Sequence, residues 1–553
     1  MSLRRLISGL LLGVFITSSA QEVKNLQFVP PFDFPMLLSA NFGELRSNHF
    51  HGGLDIKTQG QVGKPIHSIA DGYVSRATVS EGGYGQAIYV IHPNGFTSVY
   101  GHVLKFDAPI EAEVEAYQYE HETFEADLYF PEGKYVYKAG DIIALSGNEG
   151  YSFGPHLHME IRHTDTDEHI DPLPFYKEKI KDGIAPRASA FMIYPTPYQG
   201  VVNGSSRKKV FSFDKPAAIS AWGKISAGIK AFDYMDGTSN NYGVHTVRLL
   251  VDTVEVFKST VDAYLPYENR MINAWTDYAE YIKHNSWFMR SVILPGNTWR
   301  MLEANADNGY ININEERPYR FKYILTDAYG NQRTYRFTVH GKKQSIPSEP
   351  PFRKVLKWWQ GHVVQAPGME LILPRGVLYD DVCLQTKVLE DSLAISHTYR
   401  LHNEALPLHT SAFLYIGVRH YPVKDLSKYY VARVKGRKKY SVGGRFEEGW
   451  MRTSINQLGS YTVAVDTVAP RVTPLNEKAW RTGNIRFKLT DAETGIKDYK
   501  VKIDGKFVLF GYSAKNAILS NKSLERVAKK GKHVMELVVT DHCGNTLTRE
   551  YTF

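Results

Sequence analysis

The sequence predicts a mainly β protein made of several domains in a row, and three observations carry that reading. Between Pro35 and Pro174, short apolar runs alternate with Gly-rich turns. The rear of the chain repeats itself: Thr326-Asp327-Ala328-Tyr329-Gly330-Asn331 and Thr540-Asp541-His542-Cys543-Gly544-Asn545 each lead into a last alternating strand. At roughly 100–200 residues per domain, 553 residues exceed what one core supports.

Residues 1–20 read as a signal peptide. Arg4 and Arg5 precede the apolar run Leu6–Ile16, and Ser18-Ser19-Ala20 supplies small residues for cleavage. The run is too short to span a bilayer, and no cysteine follows it to carry a lipid. No later apolar stretch is long enough to cross a membrane, so no transmembrane segment is expected after signal removal. The mature chain is expected to act outside the cytoplasm, in the periplasm first, with the cell surface or secretion as alternatives. Little chain separates Ala20 from the first motif below, so no N-terminal inhibitory propeptide is expected.

Residues 21–182 are expected to form the first domain. Gln86–His92 and Phe96–His102 flank Pro93-Asn94-Gly95, a strong hairpin signal. Asp107 to Glu132 holds nine acidic residues and no Lys or Arg, and an insertion at about 104–134 is expected, a short helix and a hairpin.

Residues 183–345 and 467–553 are expected to be two copies of one β-sandwich unit, immunoglobulin-like in pattern. Besides the repeated turn, Gly243-Val244 through Phe257 resembles Gly495-Ile496 through Phe510. The first copy carries an insertion around 259–312. Between the copies, 346–466 reads as a further β-rich domain, with Trp358 and Trp359 expected as a packed core pair.

Composition narrows the function. Two cysteines, Cys383 and Cys543, exclude a disulfide framework and are expected as free, buried thiols that supply no metal cluster. The net charge of +8 hides an asymmetry: residues 21–180 carry 11 Lys+Arg against 23 Asp+Glu, and the rear is strongly basic. A basic surface outside the cytoplasm favours an anionic wall or surface polymer as partner, with Lys435-Gly436-Arg437-Lys438-Lys439 as a basic hairpin tip. No nucleic-acid recognition motif is present.

Three segments carry chemistry: His51-Gly52-Gly53-Leu54-Asp55, Tyr100-Gly101-His102 and Gly154-Pro155-His156-Leu157-His158. A catalytic zinc takes a few N and O ligands in a tetrahedron and leaves one position open. A short glycine loop lets His51 and Asp55 turn to a common point. His156 and His158, two apart on an expected strand, share a face, while Leu157, Met159 and Ile161 point to a core. No His-Glu-x-x-His or His-x-x-Glu-His occurs, which removes the helix-borne zincin design.

The order His-x-x-x-Asp, Tyr-x-His, Gly-Pro-His-x-His resembles the lysostaphin-type (LytM-like) zinc peptidases. The surrounding text matches too: Phe42-Gly43-Glu44-Leu45-Arg46, Ala70-Asp71-Gly72-Tyr73-Val74, Gly83-Tyr84-Gly85 and Ser146-Gly147-Asn148. The resemblance covers roughly residues 35–175 and implies a compact antiparallel β-sheet groove. It implies that His51, Asp55 and His158 bind Zn2+. His102 and His156 would flank the open position as acid/base groups or transition-state stabilisers, and spacing does not say which is the base.

It further implies hydrolysis of peptide cross-links in bacterial peptidoglycan. No implied ligand or catalytic position is substituted, unlike in the family's inactive members. The alternatives are a zinc peptidase acting on protein substrates and a non-catalytic wall-binding activator of other hydrolases. The acidic insertion is expected to border the groove. His49 is expected at the surface or behind a ligand, His67, His92 and His163 as structural, and Arg46 either in an ion pair or facing substrate.

Overall fold

The computed structural model describes residues 27–215, 217–350, 354–522 and 531–553. The signal-peptide reading at 1–20 lies outside the described residues. Within them, no helix is long and apolar enough to cross a membrane.

The front of the chain is built on one antiparallel sheet. Seven of its ten strands form the main path, β1 (Leu38–Ala40), β2 (Leu54–Lys57), β3 (Gly72–Val79), β4 (Gln86–Ile91), β5 (Phe96–Gly101), β6 (Ala126–Tyr129) and β7 (His156–His163), in the order β1-β2-β7-β5-β4-β3-β6. The hairpin read at Pro93-Asn94-Gly95 joins β4 to β5. Strand alternation sorts β7 into two faces: Leu157, Met159 and Ile161 are each 0% exposed and join a core with Leu54, Ile56 and Tyr100. His156, His158, Glu160 and Arg162 take the other face. Register then aligns the chemistry, because His158 lies opposite Asp55 on β2 and opposite Gly101 on β5.

The acidic insertion holds helix α1 (Ala108–Glu120), capped by Asp107, whose carboxylate accepts from the Ala108 amide at 2.9 Å. The expected hairpin is instead the single strand β6, which pairs with β3 along the sheet edge. The expectation that the insertion borders the groove also fails, since none of its residues lines the cleft described below. Its carboxylates are held elsewhere: Glu113 by Lys134 at 2.6 Å, Asp127 by Arg76 at 2.7 Å, and Glu122 by Lys500 at 2.7 Å.

The repeat read in the rear recurs as topology. In the second region, β8 (Ser220–Phe232) precedes β9 (Thr246–Val251), β10 (Val254–Thr260), β11 (Pro318–Thr326) and β12 (Gln332–Gly341). In the last region stand β13 (Ile496–Ile503), β14 (Lys506–Phe507), β15 (Val534–Asp541) and β16 (Thr546–Thr552). Strand β9 pairs with β10 and β11, and β11 with β12; β13 pairs with β14 and β15, and β15 with β16.

Each repeated turn is tied by its aspartate. Asp327 accepts from the Tyr329 and Asn331 amides, and Asp541 from the Cys543 and Asn545 amides, all at 2.8 Å. The last region packs two four-stranded sheets around Phe487, Leu489 and Leu519 on one side and Val501, Leu537 and Val539 on the other. Between the two copies, two further five-stranded sheets enclose their own core.

Trp358 packs against that middle core, but Trp359 is 49% exposed, so the two do not form a core pair. Both cysteines are free; Cys543 is buried while Cys383 is only half-buried, because its two-residue strand lies at a sheet edge.

Candidate active site

The loop His51–Asp55 depends on its glycines. A Cβ on Gly53 would lie 2.1 Å from the Met159 carbonyl, and one on Gly52 would lie 2.6 Å from Glu160 Oε1. Only glycine lets this loop close against β7 and present His51 beside Asp55.

Three donor atoms meet there. His51 Nε2 stands 2.9 Å from Asp55 Oδ1 and 3.0 Å from His158 Nδ1, and His158 Nδ1 stands 2.8 Å from Asp55 Oδ1. The outer nitrogens have partners of their own. His51 Nδ1 donates to the Asn41 carbonyl at 2.7 Å, and His158 Nε2 donates to Glu160 Oε1 at 2.8 Å. With those protons placed outward and both rings neutral, as metal ligation requires, three lone pairs face one another. A cation at their centre resolves that repulsion, and two imidazoles with one carboxylate suit a borderline metal. Burial opposes charge on His158, yet the hydrogen bonds and charges of Asp55 and Glu160 raise it to about 9, a measure of the negative field at this point.

His102 and His156 stand beside this trio, their rings 4.7 Å apart. His102 Nδ1 donates to the Glu149 carbonyl at 2.8 Å and His156 Nδ1 to the Gly154 carbonyl at 2.8 Å. Both therefore turn Nε2 away from these carbonyls, and His156 Nε2 lies 3.5 Å from Asp55 Oδ1. Burial, reinforced by His158 and His156, pushes His102 down to about 3 and keeps its ring neutral. His102 also adopts φ 59°, a left-handed conformation uncommon outside glycine and a mark of functional sites.

The five predicted residues are thus brought together in one cleft of about 1410 Å³. His67 and His92 lie outside it, hydrogen-bonded to Gly140 and Asp33 and to Asp71 and Ser98, and His163 packs on Phe96. His49 is exposed on the rim. Arg46 forms the ion pair, 3.0 Å from Glu44, with Asp55 Oδ2 at 3.8 Å.

Several contributors were not foreseen. Glu160 is 1% exposed, takes the Tyr84 hydroxyl at 2.5 Å and the Arg162 guanidinium, and holds His158 from behind. The alternation that put His156 and His158 on one face runs on to Glu160, so its position was legible. Tyr264, Asn269 and Tyr281, from the insertion in the second region, also line the cleft. Nothing in their local sequence announces this. The loop 148–154 forms another wall and is held by the last region: Lys515 Nζ donates to the Ser152 carbonyl at 2.5 Å and sits 4.0 Å over the Phe153 ring, while Lys522 pairs with Glu149 at 2.8 Å.

Residues 49–119 match the model of Peptidase family M23, and residues 353–466 match that of the Zu5-like domain. The DD-carboxypeptidase/endopeptidase Mpg of Neisseria meningitidis serogroup B is 29% identical over 118 residues, 21% of each chain. Lysostaphin of Staphylococcus staphylolyticus is 30% identical over 130 residues, 23% of this chain and 22% of that one. The chain thus spans about a fifth of the length of these curated relatives. The solved catalytic domain of lysostaphin from Staphylococcus simulans is 25% identical, covers 29% of this chain and 98% of its own, and has a TM-score of 0.19. On its ordered motifs and the family match, this chain carries a peptidase family M23 match at residues 49–119.

Proposed function

We propose that the front domain is a zinc metalloendopeptidase that hydrolyses peptide cross-links of bacterial peptidoglycan outside the cytoplasm. The observation that carries the reading is the meeting of His51 Nε2, Asp55 Oδ1 and His158 Nδ1 with their outer nitrogens already committed to Asn41 and Glu160. Those three side chains would hold the zinc. Bound there, zinc supplies Lewis acidity toward the scissile carbonyl and toward water.

The chain's own residues supply the rest. His102, kept neutral with its proton on Nδ1, offers Nε2 as a proton acceptor at the cleft. His156, tethered the same way, also turns Nε2 to the cleft, and once it carries a second proton there it would donate to the developing oxyanion or to the leaving amine. The size of the cleft and its walls from two regions suit an extended peptide held across the site. Relatives named for endopeptidase activity and for lysostaphin support a wall substrate. The reading of residues 1–20 supports export. The regions behind, immunoglobulin-like in the two repeated copies, would position the enzyme on the wall, with the Lys435–Lys439 hairpin available to anionic polymer.

The test is a muropeptide digest. Purified, zinc-loaded protein is incubated with intact peptidoglycan beside a His158→Ala control, and products are read by liquid chromatography and mass spectrometry. Loss of cross-linked dimers and gain of monomers, absent in the control, is the expected result. Bound zinc with no change in muropeptides sends the search to protein substrates, and absence of zinc binding overturns the enzyme reading.

A further inference from the structure

A second meeting of acidic groups lies at the joint between the front domain and the region behind it. Asp182 belongs to the segment leaving the front domain, Asp233 follows β8, and Asp327 sits in the repeated turn between β11 and β12. Each offers an oxygen, and these atoms all lie within 4.8 Å of one another. Asp233 and Asp327 are each 2% exposed.

Some of the oxygens are spoken for. Asp182 Oδ1 accepts from the Ile184 amide at 2.9 Å, and Asp327 accepts from the Tyr329 and Asn331 amides and the Asn331 side chain. Two are not: Asp182 Oδ2 and Asp233 Oδ1 are buried with no hydrogen-bond partner. The charges that act most on Asp233 are Asp182 and Asp327, both negative. A buried carboxylate oxygen without a donor, under the charge of neighbouring carboxylates, is costly unless something positive sits between them.

We propose that Asp182, Asp233 and Asp327 form a binding site for a hard divalent cation of the calcium type, pinning the front domain to the region behind it. The donor set is all oxygen, without imidazole or thiolate, as hard cations require. Calcium takes oxygens at about 2.3–2.6 Å, so oxygens up to about 5 Å apart can share one ion, and these three lie within 4.8 Å of one another. Magnesium keeps more of its water and a stricter octahedron, and so fits a buried set of carboxylates less well.

The same trio recurs in the other copy of the unit, as Asp466, Asp491 and Asp541. Asp182-Gly183-Ile184-Ala185-Pro186 corresponds there to Asp466-Thr467-Val468-Ala469-Pro470. Asn331 Nδ2 donates to the Asp182 carbonyl at 3.0 Å, and Asn545 Nδ2 to the Asp466 carbonyl at 3.0 Å. An arrangement repeated in this detail is a built feature of the unit. In the second copy Thr494 already occupies one Asp466 oxygen, which leaves the first trio as the one with orphaned acceptors.

A cation on Asp233 would also steady the cleft. The loop that follows Asp233 grips β1: the Tyr242 hydroxyl donates to the Leu38 carbonyl at 2.8 Å and Asn240 to the Ser39 carbonyl at 3.1 Å. Strand β1 pairs with β2 at Asp55. This link does not depend on the substrate proposed above.

The test uses the whole mature chain, zinc-loaded and prepared in calcium-free buffer. Calcium chloride is titrated by isothermal calorimetry and by thermal unfolding, with magnesium chloride in parallel. Saturable calcium binding is expected, with a rise in the unfolding midpoint of about 2 °C or more at saturation and a smaller effect of magnesium. Asp233→Asn should lower the calcium stoichiometry by one. In calcium-free buffer it should melt no lower than the wild type, since the amide removes a like charge from the trio. Asp182→Asn, which keeps an acceptor for the Ile184 amide, should do the same. His158→Ala should retain the calcium response, which separates this site from the zinc site. Absence of heat and of any shift with calcium overturns the proposal. So does a folded Asp233→Asn variant with undiminished stoichiometry, which would mean the trio shares protons instead.

Discussion

Replacing Glu160 by Gln tests how the metal-binding geometry is held. Glu160 is 1% exposed; Oε1 receives His158 Nε2 at 2.8 Å and the Tyr84 hydroxyl at 2.5 Å, and Oε2 receives Arg162 Nε at 2.7 Å. The amide has the same shape but no charge, so His158 loses the group that makes it a stronger donor toward a metal. Substitutions behind a ligating histidine weaken metal binding about 10- to 100-fold, or about 1.4–2.7 kcal/mol. Arg162 loses one buried partner but keeps Asp167 at 2.8 Å, so the stability loss should fall below the roughly 3–5 kcal/mol of a fully broken buried pair. The assay is zinc competition against a chromophoric chelator, with thermal unfolding of the zinc-free protein beside it. Tyr84→Phe, which removes one hydrogen bond to the same charged oxygen, should cost about 1.5–3 kcal/mol of stability and serves as the comparison that leaves the charge on Glu160 in place. A zinc affinity within about twofold of wild type, with only the melting midpoint lowered, would show that Glu160 is a structural anchor and that the argument from His158 is wrong.

His102→Ala and His156→Ala should each lower kcat/KM on cross-linked muropeptides about 10²- to 10⁴-fold while zinc content, measured by mass spectrometry, stays at one per chain; loss of zinc would move that histidine into the ligand set. Lys515→Met, which removes the contacts to the Ser152 carbonyl and the Phe153 ring, should speed hydrogen exchange in residues 148–154, and unchanged protection would show that the last region does not hold that wall. Asp171 is pushed up to about 6, mainly by burial and against the Leu173 amide that it accepts. Because its folded pKa lies above the unfolded one, its stabilising contribution is present below pH of about 4 and is lost as pH rises through about 6, a difference of roughly 2–3 kcal/mol. Asp171→Asn keeps the acceptor and should gain on the wild type in melting midpoint between pH 5 and 8; parallel profiles would refute the burial argument.

The charge asymmetry shows how far composition reaches. An acidic front and a basic rear are plain in the sequence, and a basic rear suggested an outside polymer as partner. In the fold part of that charge is answered within the chain: Lys500 meets Glu122 and Lys522 meets Glu149, across 378 and 373 residues. Composition cannot foresee such pairs, because only the docking of two regions brings them within reach. The acidic insertion misled for the same reason, since its charge was visible while the side of the sheet it would cover was not.

What the sequence determined by itself is whatever depends on neighbours along the chain. A glycine loop lets His51 and Asp55 converge within five residues. Strand alternation puts His156 and His158 on one face and carries Glu160 with them. The aspartate turns of the rear repeat are local hydrogen-bonding units that fold alike wherever they occur. The tertiary structure decided what depends on register and docking. It set His158 opposite both Asp55 and Gly101, it raised Tyr264 and Asn269 as a wall more than 100 residues from the motifs, and it gathered Asp182, Asp233 and Asp327. Strand pairing and domain packing are chosen by the total burial of apolar surface over many residues, and no short stretch of sequence holds that sum.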